Sequence, residues 1–271
     1  MTAFQWIEGV AGEVVAEGKR LEAVAHGPPP DQAPTIVMLH EGLGCVALWR
    51  DFPAKLAAAT GWGVFAYSRA GYGRSDPVDL PRPLDYMTRE ARSSLPAALE
   101  AIRFERGILL GHSDGASIAA IYGGENFADR VGGLVLLAPH VFTEEPGLAS
   151  IAEARRAYEA GDLKRRLAKY HADVDNAFRG WNGAWLDPGF KAWTIEEAVQ
   201  RWRVPSLLIQ GDDDPYGTLA QIRAIEARSP APVRSLILEG CRHSPQIDRP
   251  QATLDAIAAF CAEVGFGSAA K

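Results

Sequence analysis

Cysteine is scarce. The 271 residues carry three, Cys45, Cys241 and Cys261, an odd number, widely spaced and without a C-x-x-C pair. That excludes a disulfide framework and the common zinc and dithiol redox motifs, and it points to reduced thiols in a cytoplasm. Long apolar runs are missing too: none approaches the ~18 residues that a bilayer-spanning helix needs. The opening Met1-Thr2-Ala3-Phe4-Gln5-Trp6-Ile7-Glu8 has neither the basic start nor the apolar core of a signal peptide. A soluble, cytoplasmic protein is therefore expected, with no membrane partner. Basic runs are also absent, and 28 Lys+Arg stand against 34 Asp+Glu, a net charge of -6. Such a surface cannot neutralise a phosphate backbone, so no nucleic-acid partner is expected. No internal repeat, low-complexity stretch or linker divides the chain.

What is present is material for a core. Hydrophobic residues make up 47% of the chain and charged ones 23%. A compact chain of this length removes roughly three quarters of its unfolded surface from water, so it can fold without metal or disulfide staples. Length alone allows one large domain or two small ones; the oligomeric state is left open, a homodimer included.

Short runs rich in Val, Ile and Leu recur at Thr35–Leu39, Gly63–Tyr67, Gly107–Leu110, Leu134–Leu137, Ser206–Ile209 and Ser235–Leu238. They are apolar on successive residues and do not alternate, which predicts strands buried on both faces in a parallel sheet. Between them, Leu48–Ala59, Met87–Ile102, Ala116–Tyr122, Leu219–Ala227 and Leu254–Val264 carry apolar residues at helical spacing. The stretch from Val14 to Val24 reads as a hairpin turning near Gly18, an antiparallel edge on the sheet. Residues 265–271 read as a frayed tail. The expectation is an α/β architecture with helices on both faces.

From His140 to Trp202 the alternation stops, leaving only helical patterns such as Ile151–Ala160 and Leu163–Ala172. This insertion holds Trp181, Trp185, Trp193 and Trp202, four of the seven tryptophans, with Phe178 and Phe190. Large aromatic rings here either glue the insertion to the body or line an apolar pocket beneath it. Trp181 and Trp185 are the candidates for the second role.

The motif with the most chemistry is Gly111-His112-Ser113-Asp114-Gly115, which follows Ile108-Leu109-Leu110 and opens directly into a helical pattern. A G-x-S-x-G in a strand-turn-helix context describes a sharp elbow that exposes its serine at a helix N-terminus. There the helix dipole and free amides favour the negative charge of an oxyanion. A serine hydroxyl needs a histidine to take its proton, and the histidine needs a carboxylate to set its tautomer. Gly211-Asp212-Asp213-Asp214 ends one predicted strand, and Cys241-Arg242-His243 follows the next. Both stand at carboxyl ends of parallel strands, where open α/β sheets place their ligands. His26, His40, His112, His140 and His171 precede the acids in the chain. His243 is therefore the candidate base in the order serine, acid, histidine.

These features together resemble the α/β-hydrolase superfamily over essentially the whole chain. His40-Glu41-Gly42-Leu43-Gly44 is similar to its oxyanion loop, and Ser68-Arg69-Ala70-Gly71-Tyr72-Gly73-Arg74-Ser75 to its Arg-Gly-x-Gly-x-Ser turn. The resemblance implies an eight-stranded, mostly parallel sheet with a small helical cap, the core at 1–139 and 203–271 and the cap at 140–202. Its Gly-x-x-Asp pattern picks out Asp214 as the acid, leaving Asp212 and Asp213 as solvated neighbours. It implies a catalytic triad of Ser113, Asp214 and His243, oxyanion donors at the amides of Gly42 and Asp114 with Leu43 as substitute for the first, and neither cofactor nor metal.

Two departures stand out. Glu41 replaces a glycine common among relatives, and Asp114 sets a carboxylate beside the nucleophile, where it must turn away to cap the helix or to face the substrate. The Ser-Asp-Gly elbow resembles the biphenyl-hydrolase-like branch, with valacyclovirase and relatives of the meta-cleavage-product hydrolases, in which an acid here receives a cationic substrate group. The expected activity is hydrolysis of a small carboxylic ester through an acyl-enzyme. The same triad would serve a carbon-carbon bond hydrolase, an enol-lactonase or an acyltransferase.

Overall fold

The computed structural model describes residues 4–125 and 129–265. All but the first residue of the expected tail lies outside this range. Eight strands form one sheet: β1 (Gly12–Ala16), β2 (Lys19–His26), β3 (Thr35–Leu39), β4 (Gly63–Tyr67), β5 (Gly107–His112), β6 (Val131–Leu137), β7 (Ser206–Gly211) and β8 (Val233–Leu238). Their order is β1-β2-β4-β3-β5-β6-β7-β8. The β1–β2 and β2–β4 pairings are antiparallel and the other five parallel. The expected hairpin turns at Glu17 and Gly18, both at positive φ (51° and 75°). Two such residues between paired Ala16 and Lys19 make the tight turn whose twist matches the flanking strands.

Among the described residues eleven α-helices accompany the strands: α1 (Phe52–Thr60), α2 (Tyr86–Arg89), α3 (Leu95–Ala101), α4 (Asp114–Gly123), α5 (Glu145–Glu159), α6 (Asp162–Leu167), α7 (Val174–Trp185), α8 (Glu196–Val199), α9 (Leu219–Arg228), α10 (Pro245–Asp248) and α11 (Pro250–Val264). The continuous apolar runs have their meaning in the burial. Ile36, Met38, Ile108, Leu110, Val135 and Leu137 pack with Phe52 and Leu56 of α1 and Ile257 and Phe260 of α11. Their neighbours Val37, Leu39, Leu109, Leu134 and Leu136 pack on the opposite face with residues of α3, α4 and α9. Because successive side chains point to opposite faces, a strand covered twice must be apolar at every position.

Two helical expectations need correction. The pattern from Leu48 to Ala59 is broken at Arg50, where φ is 55°, so a 3₁₀ turn (Val46–Trp49) precedes α1, which starts at Phe52 with Pro53 in its first turn. Proline suits the first turn of a helix and cannot extend one from before. The pattern from Met87 to Ile102 is helical but opens into a π-turn at Glu90–Ser94, which ends two residues before Pro96. A wider turn accommodates a residue that lacks an amide hydrogen.

Between β6 and β7 the described residues carry α5 to α8 and no strand beyond a single bridge, Phe142 with Thr194. Tyr158 of α5 stacks on Phe178 of α7 at 3.7 Å. His171, between α6 and α7, accepts the Gly73 amide at 2.9 Å and donates through Nε2 to the Leu43 carbonyl. The parallel strands thus deliver His40, Ser113, His140, Asp214 and His243 to one edge, the carboxyl edge, with the α5–α7 segment beside it.

Candidate active site

Ser113 sits between β5 and α4 at φ 53°, ψ −116°. A non-glycine residue held there costs on the order of 1–3 kcal/mol, which the surroundings must supply. They do so by close packing. A β-carbon on Gly111 would overlap the Gly115 carbonyl, and one on Gly115 the Leu39 carbonyl, so neither position admits a side chain. The Ser113 amide is held by the Leu137 carbonyl at 2.9 Å. The amide of Asp114, first in α4, has no acceptor one turn earlier and is among the orphan donors of a helix start.

Asp214 and His243 form a bidentate pair: Nδ1 of His243 lies 2.9 and 2.8 Å from the two carboxylate oxygens. Since a carboxylate only accepts, Nδ1 carries the proton and Nε2 is left as an acceptor. The Gln210 side chain and the Tyr216 amide also donate to Asp214, each at 2.8 Å. Burial pushes this carboxyl up, but the bond and the charge of His243 outweigh it and hold it below the ordinary range. Gly211 makes the approach possible, because a β-carbon there would strike the Cys241 and Arg242 carbonyls. Asp212 and Asp213 are exposed. Asp212 accepts the Gly240 amide at 2.8 Å.

Ser113 and His243 line one cavity of about 100 Å³, together with Gly42, Asp114, Trp181 and Trp185. All six were expected from the sequence to belong together. Glu41, Leu43, His140, Ile151 and Tyr216 complete the wall. A wider groove of about 510 Å³ beside Gly124 and Trp202 has neither histidine nor nucleophile among its lining residues, so size does not mark the chemistry.

The family model described as the alpha/beta hydrolase family matches residues 36–256, well over half the chain. The chain belongs to the alpha/beta hydrolase family. Among solved structures, this alpha/beta hydrolase superposes on a bacterial membrane phospholipase A (TM-score 0.79, 19% identity, 95% of this chain and 87% of that one). It also superposes on an enol-lactonase from Burkholderia xenovorans (TM-score 0.73, 17% identity, 93% and 100%). At such identities the likeness concerns the fold. By sequence it is 33% identical over 102 residues to an epoxide hydrolase B of Mycobacterium tuberculosis, covering 38% of this chain and 28% of that protein. It is 28% identical over 135 residues to a 1-acylglycerol-3-phosphate O-acyltransferase of Mus musculus, covering 50% and 38%. The matched stretch spans little more than a third of either relative at most.

In this alpha/beta hydrolase the carboxylate of Asp114 is fully buried and occupied. Tyr86 donates to Oδ2 at 2.5 Å, Trp185 Nε1 to Oδ1 at 3.1 Å, and Arg69 stands 3.9 Å away. Burial raises its pKa, opposed by Arg69 and the two donors. A second ion pair, Arg82 with Glu90 at 3.9 Å, adjoins it, and Arg82 lies over the rings of both Tyr72 and Tyr86. Two arginines therefore face two carboxylates in the interior. Buried charges are tolerated in such a balance. Asp114 neither caps α4 through its side chain nor stands as an unpaired charge in the cavity.

The loop after β3 is held by atoms on three sides. Arg69 donates to the carbonyls of both His40 and Glu41, and the Arg69 amide donates to His40 Nε2 at 3.0 Å. His40 Nδ1 bonds the Glu41 carbonyl at 2.7 Å, which assigns its proton to Nδ1. Burial, then the charge of Arg69, keep this ring well below the ordinary imidazole range and neutral. A β-carbon on Gly44 would overlap the Glu41 carboxylate, and one on Gly42 would overlap Nε1 of Trp181. The glycine absent at position 41 is thus made good by glycines at 42 and 44. His112 Nε2 donates to the His243 carbonyl at 2.7 Å, tying elbow to base loop.

Among the insertion's other aromatic residues, Trp202 is buried and spends its indole N–H on the Ala120 carbonyl, while Phe190 and Trp193 stack on each other beside Trp185. They glue; Trp181 and Trp185 line the cavity. His140, Tyr216 and Ile151 escaped sequence reading because they carry no motif. For His140 a signal existed, its position just past the end of a predicted strand on the ligand edge. Burial, then the nearby His243, lower His140 to about 3, so it is uncharged in the neutral range.

Proposed function

We propose that this hydrolase cleaves a small carboxylic ester through an acyl-enzyme on Ser113. The reading rests on one observation: a histidine bound bidentately to a buried aspartate faces the same cavity as a serine at a strained elbow. Ser113 Oγ attacks the ester carbonyl and passes its proton to Nε2 of His243. Asp214 holds Nδ1–H and stabilises the imidazolium. The amides of Gly42 and Asp114 receive the oxyanion; no hydrogen bond among the described residues engages the Gly42 amide. His243 returns the proton to the leaving alcohol, then activates the water that releases the acid. No step calls on a cofactor or metal. Residues 140–202 act as the cap, with Trp181 and Trp185 against the acyl group. The cavity volume suits a short acyl chain.

Lactones, being internal esters, would open by the same steps. An epoxide hydrolase or dehalogenase of this fold needs a carboxylate nucleophile, and Ser113 occupies that position. The test is a p-nitrophenyl ester chain-length series with wild type and Ser113→Ala. The expected result is turnover with a short-chain optimum and its loss in the variant; undiminished turnover by Ser113→Ala would end this reading.

A further inference from the structure

Of the two tryptophans in the cavity wall, Trp185 has its indole N–H engaged by Tyr86 and Asp114. Trp181 does not: no hydrogen bond among the described residues involves its Nε1, although the residue is only 7% exposed. Its Nε1 faces the open space of the cavity and is not among the buried polar atoms that lack a partner, so a substrate group that meets it there supplies an acceptor the protein itself does not. The position of this donor is specific. It lies directly against the α-carbon of Gly42, so close that a β-carbon there would overlap it. Helix α7 carries Trp181 into that place, with Phe178 edge-on to the indole at 6.0 Å and itself stacked on Tyr158.

We propose that Trp181 Nε1–H is a third donor to the substrate carbonyl oxygen, supplied by the insertion to the hole formed by the Gly42 and Asp114 amides. The inference rests on the ester reading above and extends it: the oxyanion hole is complete only when α7 is seated over the loop. The indole transfers no proton. As Ser113 Oγ bonds to the carbonyl carbon, the π pair moves to oxygen and the serine proton goes to His243, while the Trp181 hydrogen bond strengthens with the growing negative charge. A donor of this kind acts on the transition state more than on the bound ester, so its loss falls on kcat rather than KM. An indole that only walls the cavity would show the opposite split.

The experiment compares wild type, Trp181→Phe and Trp181 replaced by benzothienylalanine, which keeps the bicyclic shape and removes the N–H, on p-nitrophenyl acetate and butyrate. A trifluoromethyl ketone, which forms a serine adduct bearing an oxyanion, supplies a second readout. The expected result is a kcat lowered about tenfold or more in both variants, KM within about twofold, and inhibitor affinity weakened by the same factor as kcat. Unchanged kcat with a raised KM, above all in the shape-preserving variant, would overturn the proposal. Full turnover by Ser113→Ala would instead overturn the ester reading on which it stands, so the two failures are distinct.

Discussion

The phenol of Tyr86 donates to the carboxylate of Asp114 at 2.5 Å, and both residues are buried. This contact joins α2 to the residue that follows Ser113. Tyr86→Phe removes the donor and leaves a buried charged acceptor short of one partner, at a cost of about 1–3 kcal/mol. For a chain of this size that corresponds to a Tm lower by roughly 2–5 °C. Calorimetry of the two proteins measures it, and equal melting temperatures would show the bond to be dispensable.

Asp114 itself is paired with Arg69 in the interior. Asp114→Asn strands the guanidinium, which is expected to lower stability by about 3–5 kcal/mol. Because the charge is already balanced, the variant should keep the wild-type ratio of kcat/KM between an amino-acid ester and the matching plain ester. A ratio that drops about tenfold or more would mean that Asp114 recognises a cationic group after all.

Gly42 has no room for a side chain beneath the Trp181 indole. Gly42→Ala must push either the loop or α7 aside, a local overpacking worth about 1–3 kcal/mol. Ester turnover is expected to fall about tenfold or more, since a small displacement of an oxyanion donor is costly. Steady-state kinetics beside a melting curve separates lost geometry from lost folding.

Several groups on this edge, His40 and Asp214 among them, make stability depend on pH, and His140 gives the size of one such contribution. His140 titrates near 3 when folded against about 6.5 in an unfolded chain. Between those values the unfolded chain binds the additional proton. The stabilisation is therefore complete above pH 6.5 and is lost as pH falls toward 3, at about 1.4 kcal/mol per pH unit. Urea titrations at pH 7 and pH 5 should show wild type losing about 2 kcal/mol more than His140→Gln. Parallel losses would place the proton elsewhere.

Asp214 holds the proton of His243 at Nδ1. Asp214→Asn offers an amide N–H as readily as an oxygen and permits the wrong tautomer, so kcat is expected to fall about 10⁴-fold with little change in KM. A loss below about tenfold would remove Asp214 from the triad.

The strands of the sheet were legible: all six apolar runs form strands, and in five of them double burial is the reason for apolar residues at every position. The sixth, Ser235–Leu238, lies in β8 at the edge of the sheet, where Leu238 is buried and Ile237 is 41% exposed, so the double burial expected for it is not found. The helix interruptions at Arg50 and at Glu90–Ser94 were not, since periodicity reports which face is apolar and not how the backbone passes a proline. Ser113 was legible from its glycines, whose necessity is now visible as carbonyls within reach of any β-carbon. Glu41 and Asp114 stood out only as departures.

By itself the sequence determined the order of elements, the elbow, and the placing of serine, acid and histidine after three of the parallel strands, because each is a local pattern of burial period or turn chemistry. Only the tertiary structure decided what meets above them. The pairing of Asp114 with Arg69, the engaged indole of Trp185 and the unengaged indole of Trp181 over Gly42 join residues from 45 to 139 positions apart in the chain. No period or spacing encodes such contacts; the first follows from the sheet order that sets the ends of β4 and β5 near each other, and the other two from how the segment between β6 and β7 packs against the carboxyl edge.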